Sequence, residues 1–528
     1  MLPILGFLVA CGLCACNTMP KEHVVTDAKL MTEIIDDNNR VYYEVFVHAF
    51  SDSDKDGIGD LRGLIDRLDY LNDGDPNSGK SLGVQGLWLM PIMPSPSYHK
   101  YDVKDYKDID PAYGTLADFA DLIAACDERG IDVIIDLVLN HTSNAHPWFT
   151  AARRAMRDGD TESKYLDYYT LVTSSEKESG KTYHTFYGDY FYEGNFSGTM
   201  PELNLDNADV REEIIDIVTF WYGLGVKGFR LDAIKYAYLG EESRNVEFWN
   251  WFAAECRKIL PDTYIVGEVW SGDSLIAPYY ECFSNFDFGM SQSMGAIAVT
   301  ANGMDSVNWY VAYLNSYRNL IASINPDAIL TPFISNHDMN RAAGYLSVAD
   351  YRMHMATNLY LWTFGTPFLY YGEEIGMKGI RGTEQTDANR RLAMLWGDRD
   401  KVADPPGATY NPKNQTNGTV KSQIGDADSL YNHYKKVIML RNANPEIARG
   451  AYTPLNFPDH EYFGGFLSTW QDATVGVFHN TGLSEVTIDL SQYSSYQFTQ
   501  IRGWAGKGSS QLEGQILTLS GLTSVILG

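Results

Sequence analysis

Three carboxylates and a guanidinium stand at the ends of short apolar runs in this chain. "GFRLDA" places Arg230 and Asp232 two positions apart, "IVGEVW" carries Glu268 near its end, and "FISNHD" ends in His337 and Asp338. "DLVLNH" adds Asp136, Asn140 and His141. Residues two apart on a strand share a face, so Arg230 and Asp232 point together. A guanidinium beside a carboxylate favours its ionised form. Glu268 lies between Gly267 and Val269, just before Trp270, and such an apolar lining raises a carboxyl pKa. One carboxylate held charged and another held neutral is the pair that glycoside cleavage requires. A single Asp at a strand end is often only a helix cap; the weight rests on the joint pattern.

For these groups to meet, the runs must be neighbouring strands. Strand patterns fall at 40–47, 84–91, 131–140, 226–233, 263–270, 283–287, 328–336 and 366–372, with helical patterns near 60–72, 115–129 and 243–260. The runs are apolar on both faces, as in a parallel sheet covered by helices. Eight such units predict an α/β fold, a closed (β/α)8 TIM barrel, whose strand C-termini converge on one mouth. Residues 141–206 break the rhythm; they are polar, rich in Tyr and Gly, and too long for an ordinary loop. They read as an inserted domain B between barrel segments 41–140 and 207–445. Short alternating strands after "LRNANPEI" predict a C-terminal all-β sandwich, domain C, over 446–528.

Composition narrows the partners. The net charge of −27 over 528 residues argues against nucleic acid or anionic lipid. A neutral polymer or a cation fits better, and the expected species is a monomer. Aromatics at 13% suit both sugar faces and a ring-filled core. The first residues, "MLPILGFLVACGLCACNTMPKE", contain an apolar run too short to span a membrane. They read as a secretory signal. "LVAC" and "LCAC" resemble lipoprotein processing sites, with Cys16 favoured. Residues 1–16 would then be a lipoprotein signal peptide and 17–40 a tether, and the protein would be exported and lipid-anchored to the cell envelope. Cys126, Cys256 and Cys282 would remain, expected as buried free thiols.

"SDSDKDGIGDLRG", residues 51–63, alternates acids around Gly57. It begins like an EF-hand loop, but position twelve from Asp52 is Gly63 rather than the bidentate Glu. A solvated acidic loop and a metal site of another kind are the alternatives.

Taken together, "DLVLNH", "GFRLDA", "GEVW" and "SNHD" resemble, in order and spacing, the four conserved regions of the α-amylase family, glycoside hydrolase family 13. "MPELNLD" (200–206) resembles a fifth, closest to the subfamily 36 α-amylases. The resemblance implies Asp232 as nucleophile, Glu268 as acid/base and Asp338 as the third carboxylate. It implies a covalent intermediate with retained configuration and the two carboxyls about 5–5.5 Å apart. It assigns substrate contacts to His99, Tyr101, His141, Arg230, Lys235, His337, Asp387 and Arg391. It implies Ca²⁺ in the acidic loop, held by Asp52, Asp54, Asp56, the Ile58 carbonyl and Asp60. A second Ca²⁺ would rest on Asn140 and Glu202, with a carbonyl supplied here by Tyr236. Ala233, in place of the Val of α-1,6-cleaving relatives, implies starch and maltooligosaccharides with α-1,4 bonds as substrate. Neopullulanase-like, oligo-α-1,6-glucosidase or transglycosylase activity of the same family is the runner-up. A non-catalytic relative is a remote reading, because all three acids are present.

Overall fold

The computed structural model describes residues 37–383 and 385–528. The predicted signal peptide, Cys16 and nearly all of the tether lie outside them.

Seven parallel strands form the central sheet: β1 (Tyr42–Val45), β2 (Gly86–Leu89), β3 (Asp132–Leu137), β4 (Gly228–Leu231), β5 (Tyr264–Gly267), β6 (Ser284–Asn285) and β7 (Phe368–Tyr370). Their order is β7-β1-β2-β3-β4-β5-β6. Single parallel bridges Phe286↔Thr331 and Phe333↔Phe368 close the circle. The run at 328–336 therefore occupies its expected place in the barrel without forming a ladder. Pro332 supplies the reason: it has no N–H to donate, although its carbonyl accepts from Phe368 N at 3.0 Å.

The strands of the ladder are short and, apart from one residue at the start of β3, buried throughout, so both faces need cover. Helix Leu116–Asp127 shows how the sequence provides it. Thr115 and Asp118 form a reciprocal capping box, and Phe119, Leu122, Ile123 and Cys126 line one buried stripe. Helices Ala208–Gly223 and Glu242–Ile259 cover β4 and β5 from outside. Inside the barrel the filling is aromatic: the Tyr42 ring stacks on Phe368 at 4.8 Å and on Tyr264 at 5.3 Å, while Trp88 packs on Phe286 at 5.5 Å. Much of the high Tyr and Phe content is thus core.

Residues 141–206 hold helix Pro147–Asp158 and a three-stranded antiparallel sheet, Leu171–Thr173, Tyr190–Glu193 and Tyr183–Tyr187. Bridges His141↔Glu202 and Tyr169↔Leu203 tie the ends of this segment together at the barrel mouth. Beyond helix Leu430–Asn442, a five-stranded and a three-stranded antiparallel sheet share a separate core of Phe457, Phe463, Phe478, Phe498, Leu517 and Val525. Cys126, Cys256 and Cys282 are buried free thiols. Among the described residues no helix is long and apolar enough to cross a membrane.

Candidate active site

The register of the sheet brings the acids together. Leu137 pairs with Leu231, and Leu231 with Gly267, so Asp232 and Glu268 each stand one position beyond the same rung. One rung lower, Asp136 pairs with Arg230. Gly267 is demanded by crowding: a Cβ there would come within 2.6 Å of Ile234 and 2.7 Å of the Asn285 side chain.

Arg230 organises the cluster from a position with no solvent exposure. Its Nη1 donates to both Asp136 oxygens, at 2.9 and 3.0 Å, and to Asp232 Oδ1 at 3.0 Å. Its Nη2 makes an ionic contact of 3.0 Å with Glu268 Oε2, outside hydrogen-bond alignment. One planar guanidinium thus holds both expected catalytic acids, and the two contacted oxygens lie at most about 8 Å apart. The backbone tightens this further, because Ala233 N donates to Glu268 Oε2 at 3.1 Å. Ala233 itself is left-handed, at φ 45°, ψ 45°, a sparse conformation for a residue with a Cβ. Asn140 Nδ2 fastens that turn by donating to the carbonyls of Asp232 and Ala233 at 2.8 and 3.1 Å.

The two acids sit in different fields. Burial raises the Glu268 pKa; Arg230 opposes the rise, and the charges of Asp232 and Asp338 add to it. Burial likewise acts to raise Asp338, but His337 and then Arg391 outweigh it and hold that carboxyl well below its usual range. Arg391 Nη2 donates to Asp338 Oδ1 at 2.6 Å, and its Nε donates to the His337 carbonyl. The site therefore offers one carboxyl favoured in its neutral form, Glu268, and one firmly ionised, Asp338, a division that suits acid-assisted glycoside cleavage.

The remaining expected contacts divide. His99, Tyr101 and His141 line the cleft with the acids. His99 Nδ1 accepts from Tyr101 N at 3.2 Å, and burial lowers its pKa to about 4, so it is neutral with Nε2–H left to donate. Both ring nitrogens of His141 are buried in the cleft lining, close to the Tyr101 backbone and the Asp232 carboxylate. His337 lies beneath this layer, fully buried. Lys235 lines the cleft, but its ammonium donates to the Trp270 carbonyl at 2.7 Å and steadies the turn after Glu268. Asp387 sits at the rim between Arg390 and Arg381, at 2.9 and 3.3 Å. The cavity, about 640 Å³, is also lined by Tyr98, Phe196, Met200 and Trp270. Sequence reasoning placed Trp270 beside Glu268 but missed the other three. Phe196 is 43% exposed in a polar stretch of the insert, and an isolated ring in such a stretch was the available signal.

In the acidic loop, Asp52, Asp54 and Asp60 bring one carboxylate oxygen each within 4.8 Å of one another. Among the described residues no Lys or Arg forms an ion pair with them. This set of hard oxygens fits Ca²⁺. Asp56 lies outside this group, and its Oδ1 accepts from Ile58 N at 2.7 Å. Asp60 is also the N-cap of helix Leu61–Asp66, accepting from Gly63 N, so a cation there would brace the start of that helix. At the second expected site, Asn140 Oδ1 is buried without a partner, and burial together with Glu193 raises Glu202 to about 7. An unpaired amide oxygen and a neighbouring carboxylate are compatible with a hard cation, whose charge would favour ionised Glu202.

Comparison with known proteins agrees with this geometry. Residues 44–450 match the family model described as alpha amylase, catalytic domain. The chain is 37% identical to Alpha-amylase 3 of Dictyoglomus thermophilum, covering 86% of this chain and 87% of that protein. It is 30% identical to the trehalose synthase/amylase TreS of Mycobacterium tuberculosis, covering 88% of this chain and 85% of that one. The solved structure of Eubacterium rectale Amy13B superposes with a TM-score of 0.86 at 37% identity, over 94% of this chain and 96% of that chain. With its barrel, its paired acids and this match, the chain belongs to the α-amylase family and is a glycoside hydrolase.

Proposed function

We propose that the protein is an exported α-amylase that cleaves α-1,4-glucosidic bonds of starch and maltooligosaccharides with retention of configuration. One observation carries this reading: a single guanidinium grips Asp232 and Glu268 while burial favours the neutral form of Glu268. Glu268 gives its proton to the leaving oxygen as Asp232 attacks the anomeric carbon. Glu268, now ionised, then takes a proton from water as water displaces Asp232. Asp338, pinned by Arg391, grips ring hydroxyls, and His99 and His141 supply further polar contacts. Tyr101 offers its ring face to the sugar next to the cleaved bond. Asp52, Asp54 and Asp60 would hold Ca²⁺, which would neutralise their charge and brace the loop, and Asn140 Oδ1 and Glu202 would hold a second ion.

The chain acts as a monomer on a neutral glucan, anchored to the envelope through Cys16 and making no contact with nucleic acid. The acidic net charge supports this, since it disfavours both nucleic acid and bare anionic membrane. A second reading, transfer of the glycosyl group to another sugar, is favoured by the TreS relative and by the aromatic ledge of Phe196 and Tyr236, whose rings lie 4.8 Å apart at the cleft. Chromatography of products from amylose, pullulan and isomaltose separates the two. Short maltooligosaccharides from amylose are expected. Faster cleavage of isomaltose, or accumulation of transfer products in place of hydrolysis, would overturn the first reading.

A further inference from the structure

Glu44 is a carboxylate in the middle of β1, a strand whose four residues are all buried. Only 1% of it is exposed, so it needs a close partner to remain ionised there. The partner is His337, itself fully buried: Glu44 Oε1 lies 2.5 Å from His337 Nδ1. On the far side of the ring, Nε2 lies 2.7 Å from the Tyr101 oxygen and 3.1 Å from Asp338 Oδ2. Hydrogen-bond direction follows from who can donate. Asp136 accepts two bonds from Arg230, and Tyr101 spends its one proton on Asp136 Oδ2 at 3.1 Å. The Asp338 carboxylate 3.1 Å from Nε2 calls for a proton on that nitrogen, and Tyr101 then accepts from the same N–H. Asp338 and Glu44 are acceptors as carboxylates. Both ring nitrogens of His337 therefore carry protons.

We propose that Glu44 is a positioning residue that keeps His337 doubly protonated, so that the cleft holds a fixed imidazolium beside Asp338. The device runs from β1 through the imidazole to Tyr101, Asp136, Arg230 and so to Asp232. A neutral imidazole has one N–H and would surrender either the Glu44 bond or the Tyr101 and Asp338 contacts. It would also leave Asp338 with Arg391 as its only bonded cation.

The groups facing His337 are Glu44 from β1, Tyr101, its neighbour Asp338, and Arg391 through the His337 carbonyl, with Trp88 against its edge. Asp136, Arg230 and Glu268 lie beyond. Burial disfavours the cation, but Asp338 and Glu44 outweigh it and raise the imidazole to about 10.

The inference rests on the glycosidase reading above, which wild-type turnover tests separately. Glu44→Gln keeps the shape and an accepting oxygen while removing the charge. The measurement is the ratio of variant to wild-type kcat/KM on amylose across pH 5–9. As the imidazole falls toward its ordinary value of about 6.5, the ratio should drop about tenfold for each pH unit above it. That is roughly thirtyfold at pH 8 relative to pH 5. A lost packing contact lowers the ratio equally at every pH, so a flat ratio overturns the proposal. Should the variant not fold, wild-type protein provides the test. Its downfield imidazole N–H resonance, assigned by its loss in His337→Gln, should persist unchanged from pH 5 to 8, and titration within that range overturns the proposal.

Discussion

Replacing Arg230 by methionine asks whether one guanidinium sets the protonation of the cleft. Arg230 bonds Asp136 and Asp232 and contacts Glu268, all at 2.9–3.0 Å, from a fully buried position. Among the other cations at the mouth, His337 and Arg391 are already engaged by Asp338, and Lys235 by the Trp270 carbonyl. Methionine therefore leaves Asp136 and Asp232 beside each other without a bonded cation. At an effective dielectric constant near 20, one such contact is worth about 4 kcal/mol. At 1.36 kcal/mol per pH unit, this moves ionisation of the nucleophile upward by about three units. For a carboxylate of ordinary pKa, about 3.9, such a shift lowers the ionised fraction about tenfold at pH 6 and several hundredfold at pH 4, and kcat/KM should fall in proportion.

The limbs of the pH profile move in a stated direction. Asp232 must be ionised, so the acid limb moves to higher pH. Glu268 must be protonated, and losing Arg230 raises it further, so the alkaline limb does not retreat. The optimum shifts up by about a unit or more. Breaking a buried pair also costs stability, about 3–5 kcal/mol, read as a lower melting midpoint. Steady-state kinetics on amylose with a parallel melting scan provide the assay. A variant within tenfold of wild type at pH 4, with an unmoved optimum, would refute the reasoning, whatever its melting behaviour.

Two further predictions concern stability. Chelation should lower the melting midpoint of wild-type protein by more than that of an Asp52→Asn, Asp54→Asn double variant, which keeps the second site; equal response of both would place no cation in the acidic loop. At the seam between the barrel and the C-terminal sheets, His433 Nε2 bonds Asn358, Asn358 bonds Ser524, and Ser524 bonds His479, each within 3.1 Å. Burial lowers His354 to about 4, His479 to about 3 and His433 still more strongly. The unfolded chain binds protons first, so this stability is complete above about pH 6.5 and is lost as pH falls toward 4. His479→Gln should flatten that part of the melting curve; an unchanged slope would exclude the seam as its source.

Much of the site was legible because barrel strands end abruptly. Arg230, Asp232, Glu268 and Asp338 stand out as charges after apolar runs, and the parallel register does the rest. Glu44 was not legible: it sits inside an apolar run, where a buried acid reads as an ordinary strand residue until His337 is seen beside it. The acidic loop showed the reverse limit. Alternation suggested that Asp56 joins Asp52, Asp54 and Asp60, whereas the carboxylate oxygens that gather within reach of one another are those of the other three. The barrel's seventh segment was placed by pattern, while Pro332 reduced it to isolated bridges. Phe196 and Trp270 reach the cleft through loop geometry, which residue periodicity does not encode.

The double displacement can be caught directly. Glu268→Gln protein, given 5-fluoro-α-glucosyl fluoride, needs no acid to expel fluoride and lacks the base to release the sugar. Peptide mass spectrometry should find the glycosyl adduct on the peptide containing Asp232. An adduct on another carboxylate, or none under conditions in which fluoride is released, would contradict the account.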